Sequence, residues 1–269
     1  MRNLQQFWTQ RRIGEDRQVL ARLGPLRIWL ARAEKEWAFA HEQAEAGNLM
    51  DVAQVPEEVL PENLKWSKVL FREAPRDYGF QAAVPNRPIY VEAREPMVLP
   101  SGEGATFFVS IPAVVEVWFG QGKQRLKAGQ MNSLELGDAW FGSPTEGELC
   151  YAIPHPAERD LDDLKVHPNE IVCPVEIMNR SSEALVFEKM CLRPAYLTLY
   201  SGMQHLWAGL VRIQNEHLFQ RSMIRYSAEA PGFESNLTKI AEARMHADRG
   251  LSRLSFRTRF QGDIQFGDR

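Results

Sequence analysis

The chain has 269 residues, 25% charged and 44% hydrophobic, with a formal net charge of −3. These proportions suit a soluble globular protein with a sizeable core, arranged as one large or two modest domains. A charge so close to neutral gives no global pull toward nucleic acid or anionic membrane, so specific nucleic-acid binding is not expected. No stretch approaches the roughly 18 apolar residues of a spanning helix, which argues against membrane insertion. The first residues lack the apolar core of a signal peptide, and three cysteines, an odd number, suit a reducing compartment. A cytoplasmic location is the expectation.

Leu4, Phe7 and Trp8 have helical spacing, which predicts a short amphipathic helix over the first dozen residues, ended by Arg11 and Arg12. Gly24-Pro25 then marks a break. Leu26, Ile28 and Leu30 alternate with Arg27, Trp29 and Ala31, and Trp37 and Phe39 alternate with Ala38 and Ala40. The pattern is that of a β-hairpin, with helix as the rival because helix-forming residues are common here. Residues 42–63 are acidic and read as loop, with at most a helical turn at 57–60.

From Lys65 onward the β signal dominates. Short alternating runs cover 66–71, 89–94, 105–111 and 114–119, separated by turns such as Pro100-Ser-Gly-Glu-Gly104 and Gly120-Gln-Gly122. Residues 155–167, bounded by Pro154 and Pro168, break the rhythm and are the candidate linker. Beyond them Ile171, Cys173, Val175 and Ile177 share a face, a polar turn follows at 179–183, and Leu185, Phe187 and Cys191 share another. That strand–turn–strand order is like the opening hairpin of immunoglobulin-like sandwiches, by fold-level analogy alone. One helix is predicted over 237–247 from the spacing of Leu237, Ile240, Ala241 and Met245, ended by Gly250. The expected fold class is therefore all-β: two sandwich-like antiparallel domains, 1–154 and an immunoglobulin-like 168–269, with one short helix near the C-terminus.

The stretch Asp138–Tyr151 is the most distinctive of the chain. Two aromatics, Trp140 and Phe141, precede a turn containing Gly142, Pro144 and Gly147, and then Leu149, Tyr151 and Ile153 alternate as a strand. Turning immediately after the aromatics would fold both under the loop as structural pegs and leave Ser143 to Glu148 as the exposed surface. The alternative is an exposed recognition tip made of the aromatics themselves. Trp140, Phe141, Glu146 and Glu148 are thus the candidate binding residues.

The run LGDAWFGSPTEGELCYAIP (136–154) resembles the most recognisable segment of an uncharacterised prokaryotic family, a domain of unknown function found in archaea and bacteria. Residues 23–42, 86–120 and 173–200 resemble the same family, so the likeness spans nearly the whole chain. The resemblance brings no catalytic residues. It implies a link to small-conductance mechanosensitive channels, beside which members are sometimes encoded.

Catalytic patterns are sparse. Cys150, Cys173 and Cys191 occur singly, without the closely paired ligands of a zinc site, and Cys173 lies on an apolar face; neither a metal nor a cofactor is expected. No G-x-S-x-G elbow occurs. Glu146 and Glu148 are too close in sequence to face each other across a cleft as glycosidase carboxylates do, about 5 to 9.5 Å apart on separate elements. Gly102-Glu-Gly104 and Gly120-Gln-Gly122 lack the context of a nucleotide loop. Arg253, Arg257 and Arg259 would share one face of a C-terminal strand, either as charges protecting an edge or as an anion patch. The leading expectation is a non-catalytic β module that binds a protein partner. The alternatives are a sugar- or small-ligand-binding β domain with Trp140 or Trp118 as platform, and a hydrolase with dispersed carboxylates.

Overall fold

The computed structural model describes residues 4–245 apart from 15, 16, 46, 57–60, 62, 143, 146 and 217–220. The chain is mainly β, as expected, and most strand pairs are antiparallel. Two of the sheets are mixed, however, because three of their strand pairs are parallel rather than the antiparallel pairing expected throughout. The longest α-helix among the described residues, α1, has four residues (Leu4–Phe7). No described helix is long and apolar enough to cross a membrane. The helix expected over the first dozen residues stops at Phe7, because Arg11 and Arg12 lie in β1 (Gln10–Arg12), which pairs with a later strand.

The next strands are β2 (Gln18–Leu23), β3 (Leu26–Arg32) and β4 (Glu36–Gln43). The hairpin expected from the alternation on either side of Glu34-Lys35 is β3–β4, with Ala31 opposite Ala38. The break at Gly24-Pro25 is itself a second hairpin turn, which brings Leu23 of β2 opposite Leu26. Gly24 sits at φ +57°, and a Cβ there would meet the Asn169 amide oxygen at 2.4 Å, so two separate constraints require glycine. The acidic segment expected to be loop contains β5 (Met50–Val55), which pairs with β2 as a sheet edge. None of its residues is fully buried, so no apolar alternation announces it. A bidentate ion pair between Arg22 and Asp51, 2.8 and 2.6 Å, fastens that edge.

With β6 (Ser67–Leu70) the first sheet runs β5-β2-β3-β4-β6. Against it packs β7 (Asp77–Ala83) in a second sheet, together with β1 and two strands met later in the chain. The intervening pair, β8 (Ile89–Leu99) and β9 (Gly104–Pro112), leaves this layer. The chain then returns with β10 (Val114–Phe119) and β11 (Leu126–Asn132), so the second sheet is β1-β7-β10-β11. Trp37 is buried completely between the two, 4.4 Å from Phe119 in a stacked arrangement, and its indole donates to the Pro75 carbonyl.

The remaining strands are β12 (Asp138–Phe141), β13 (Glu148–Ala152), β14 (Glu170–Asn179), β15 (Leu185–Leu192), β16 (Leu199–Ser201), β17 (Leu206–Ala208), β18 (Val211–Glu216), β19 (Arg221–Tyr226) and β20 (Thr238–Ala241). A third sheet runs β12-β13-β8-β15. The fourth runs β19-β18-β14-β17-β16-β20, with β9 also paired to β14. One continuous apolar cluster joins these two sheets, with Phe107 of β9 and Phe187 of β15 4.7 Å apart inside it.

The segment 155–167, expected as a linker between 1–154 and 168–269, is crossed by strand pairing. β9 pairs with β14 from Gly104–Met178 to Pro112–Glu170, and β8 pairs with β15. The second core therefore draws β8 and β9 from the first half of the sequence. The turn at 179–183 is present, but β14 and β15 do not pair with each other as the hairpin reading requires. Each joins a different sheet. Asn179, fully buried, holds the corner by donating to the carbonyls of Leu99 and Glu183 and accepting from Ser181.

The helix expected over 237–247 is overturned where the chain is described. Thr238–Ala241 is the edge strand β20, paired with β16, and Asn236 before it takes φ 58°. The apolar spacing of Leu237, Ile240 and Ala241 fits a helix, but the open edge of β16 offers main-chain bonds that a short isolated helix lacks. Residues 246–250 lie outside the described part.

Gly209, between β17 and β18, has no room for a side chain: a Cβ there would lie 2.1 Å from the Ser227 carbonyl oxygen. Backbone cannot swing aside as a flexible side chain can. Gly209→Ala is expected to lower stability by about 1 to 3 kcal/mol, read as a lower urea midpoint at unchanged slope.

Candidate functional site

The hairpin β12–β13 forms the end of the third sheet, with β12 as its edge strand. Strand alternation divides its side chains between two faces. Asp138 opposes Tyr151 and Trp140 opposes Leu149 on the outer face; Ala139 opposes Cys150 and Phe141 opposes Glu148 on the inner. The two adjacent aromatics therefore have opposite fates. Phe141 is 6% exposed and packs in a small cluster with Cys150, Cys191 and Tyr90, its ring 6.0 Å from the Tyr90 ring. Trp140 is 52% exposed, and its cross-strand partner Leu149 is 42% exposed. The peg expected for both holds for Phe141 alone, because consecutive residues of a strand cannot point the same way.

Around this apolar pair the outer face is polar and ordered. Arg87 donates to Asp138 at 3.0 Å and lies over the Tyr151 ring at 5.1 Å, and the Tyr151 hydroxyl bonds Asn86. The result is an aromatic and aliphatic centre beside a fixed cation, anion and phenol.

Glu148, expected as a solvated turn carboxylate, is instead engaged: Arg193 pairs with it at 2.5 Å and the Cys191 thiol approaches the same oxygen at 3.6 Å. A carboxylate so paired is poorly suited to the acid–base role of the hydrolase alternative. Trp118, the other candidate platform, has the Arg125 guanidinium 4.1 Å from its ring centroid, and its indole donates to Glu116. Glu146 and the arginines of the expected anion patch, Arg253, Arg257 and Arg259, lie outside the described residues.

Cys150 and Cys191 meet beneath the hairpin with their sulfurs 3.7 Å apart, both as free buried thiols. Their mutual hydrogen bond lowers the Cys150 thiol and raises that of Cys191. Sequence reasoning missed this meeting, since the two are 41 positions apart on β13 and β15, which flank β8. Cys173 is buried separately on β14, and burial pushes its thiol up. Among the described residues no group of three or more His, Cys, Asp or Glu is arranged to hold a metal ion.

A comparison with curated proteins gives no match, and neither does one with solved structures. A family model does match, over residues 7–260, so that it spans all four sheets and the hairpin itself. The chain belongs to the family described as protein of unknown function DUF432.

Proposed function

We propose that this chain is a non-catalytic interaction module that recognises another protein through the outer face and open edge of the β12–β13 hairpin. The observation that carries this reading is the exposed Trp140–Leu149 pair on an edge strand. Tryptophan is enriched among residues that dominate interface energies, and an edge strand offers main-chain groups for strand addition. The fixed Arg87 and Asp138 charges beside it supply orientation more than affinity.

The partner suggested by the family resemblance is a small-conductance mechanosensitive channel, engaged from the cytoplasm through its water-exposed part. The test is binding of the purified chain to such a channel in nanodiscs, followed by interferometry. Trp140→Ala is expected to weaken binding at least tenfold, about 1.4 kcal/mol, while Lys239→Ala, on the distant β20, leaves it unchanged. Equal affinity of wild type and Trp140→Ala, or no binding by either, would refute the proposal.

A further inference from the structure

A recess of about 170 Å³, partly open to solvent, lies where α1, β5, the start of β14 and the loop before β17 meet. Its polar lining includes Glu170, His167 and His205, and its walls include Leu4, Met50 and Leu206.

Glu170 is the unusual member. It is 3% exposed, yet among the described residues its carboxyl receives one hydrogen bond, from the His167 backbone N–H at 2.8 Å. No described lysine or arginine forms an ion pair with it. A carboxylate has about four acceptor positions, and burying one with so few donors is costly unless a cation or further donors complete it. His205 is lowered by burial, so its ring is neutral at pH 7. The His167 Nδ1 is hydrogen-bonded to the Asn48 amide oxygen at 2.8 Å. The recess thus holds a buried carboxyl with no ion pair among the described residues, with Gln204 and an apolar wall alongside.

We infer that this recess binds the ammonium group of a small aliphatic primary amine, with Glu170 as its anionic partner and the alkyl chain against Leu4, Met50 and Leu206. An ammonium brings three donors and a positive charge, which is what the buried carboxyl lacks. A short methylene chain matches the wall. The same chemistry is carried by a free amine and by a lysine side chain.

The test uses the full chain with ¹³C-methyl-labelled methionine, titrated with n-butylamine, with a short capped Gly-Lys-Gly peptide, and with butyrate as the anionic control. The expected result is a saturable shift of the Met50 methyl with at least one amine and none with butyrate. Saturation by butylamine alone identifies a free amine, and tighter binding of the peptide identifies a lysine side chain. Glu170→Gln, checked for an unchanged melt, is expected to weaken amine binding at least tenfold. Should that variant fail to fold, the wild-type titration still decides. A Met50 signal unmoved by both amines, or moved equally by butyrate, would overturn the inference, as would full binding by folded Glu170→Gln.

Discussion

Phe141→Ala is expected to destabilise the fold by about 3 kcal/mol, as truncation of a buried aromatic does, while its neighbour Trp140→Ala costs about 1 kcal/mol or less. Phe141 fills the inner face of the hairpin against Cys150, Cys191 and Tyr90, so its removal leaves a cavity over two free thiols. Trp140 lies on the outer face, 52% exposed opposite Leu149, so its removal opens no cavity in the core. Urea melts of the two variants check both halves. A second readout is available in the thiols: alkylation of Cys150 and Cys191 should be faster in Phe141→Ala than in wild type. Equal midpoints for the two variants would show that the hairpin does not divide its aromatics between core and surface.

Glu234→Ala should lower stability by a comparable amount, about 3 kcal/mol, by removing one acceptor shared among several donors. The Glu234 carboxylate receives the Trp207 indole N–H at 2.7 Å and the backbone N–H groups of Met203 and Gln204 at 2.5 and 3.0 Å. Trp207 is wholly buried and stacked on Phe233, so its indole cannot turn to water instead. Burial alone would raise this carboxyl, but the hydrogen bonds from Trp207, Gln204, Met203 and His205 prevail and hold it below its ordinary value of 4.5. A depressed folded value means that the stabilisation is present above the unfolded value and fades as pH falls through the folded one. The stability gap between wild type and Glu234→Gln should therefore be widest near neutral pH and shrink below about 4.5. A gap constant from about pH 6 to about pH 3 would contradict the assignment.

How much of the hairpin was legible depends on what a single strand reveals. Period-two alternation marks Leu149 and Tyr151 as sharing one face, and the same rule applied to Trp140 and Phe141 separates them. Reading the two as one unit, because they precede a turn, obscured that separation. The engagement of Glu148 was not legible, since Arg193 lies 45 positions away and no local pattern links them. The recess at Glu170 gave no signal either. In the sequence Glu170 is one acid near a proline, and its burial follows from elements packed over it from four parts of the chain.

The sequence by itself determined the mainly β character, the hairpin of β3 and β4, the turn at 179–183 and the apolar burial of Cys173. Each follows from backbone preference or side-chain alternation within a few residues. Tertiary structure alone decided that β8 and β9 leave the first core to pair across 155–167 with β15 and β14. It also decided that Thr238–Ala241 is an edge strand rather than a helix, and that Cys150 reaches Cys191. The physical reason is common to all three. A strand's hydrogen bonds point sideways to whichever neighbour the fold supplies, so alternation reveals that a strand exists and which face is buried, but never its partner.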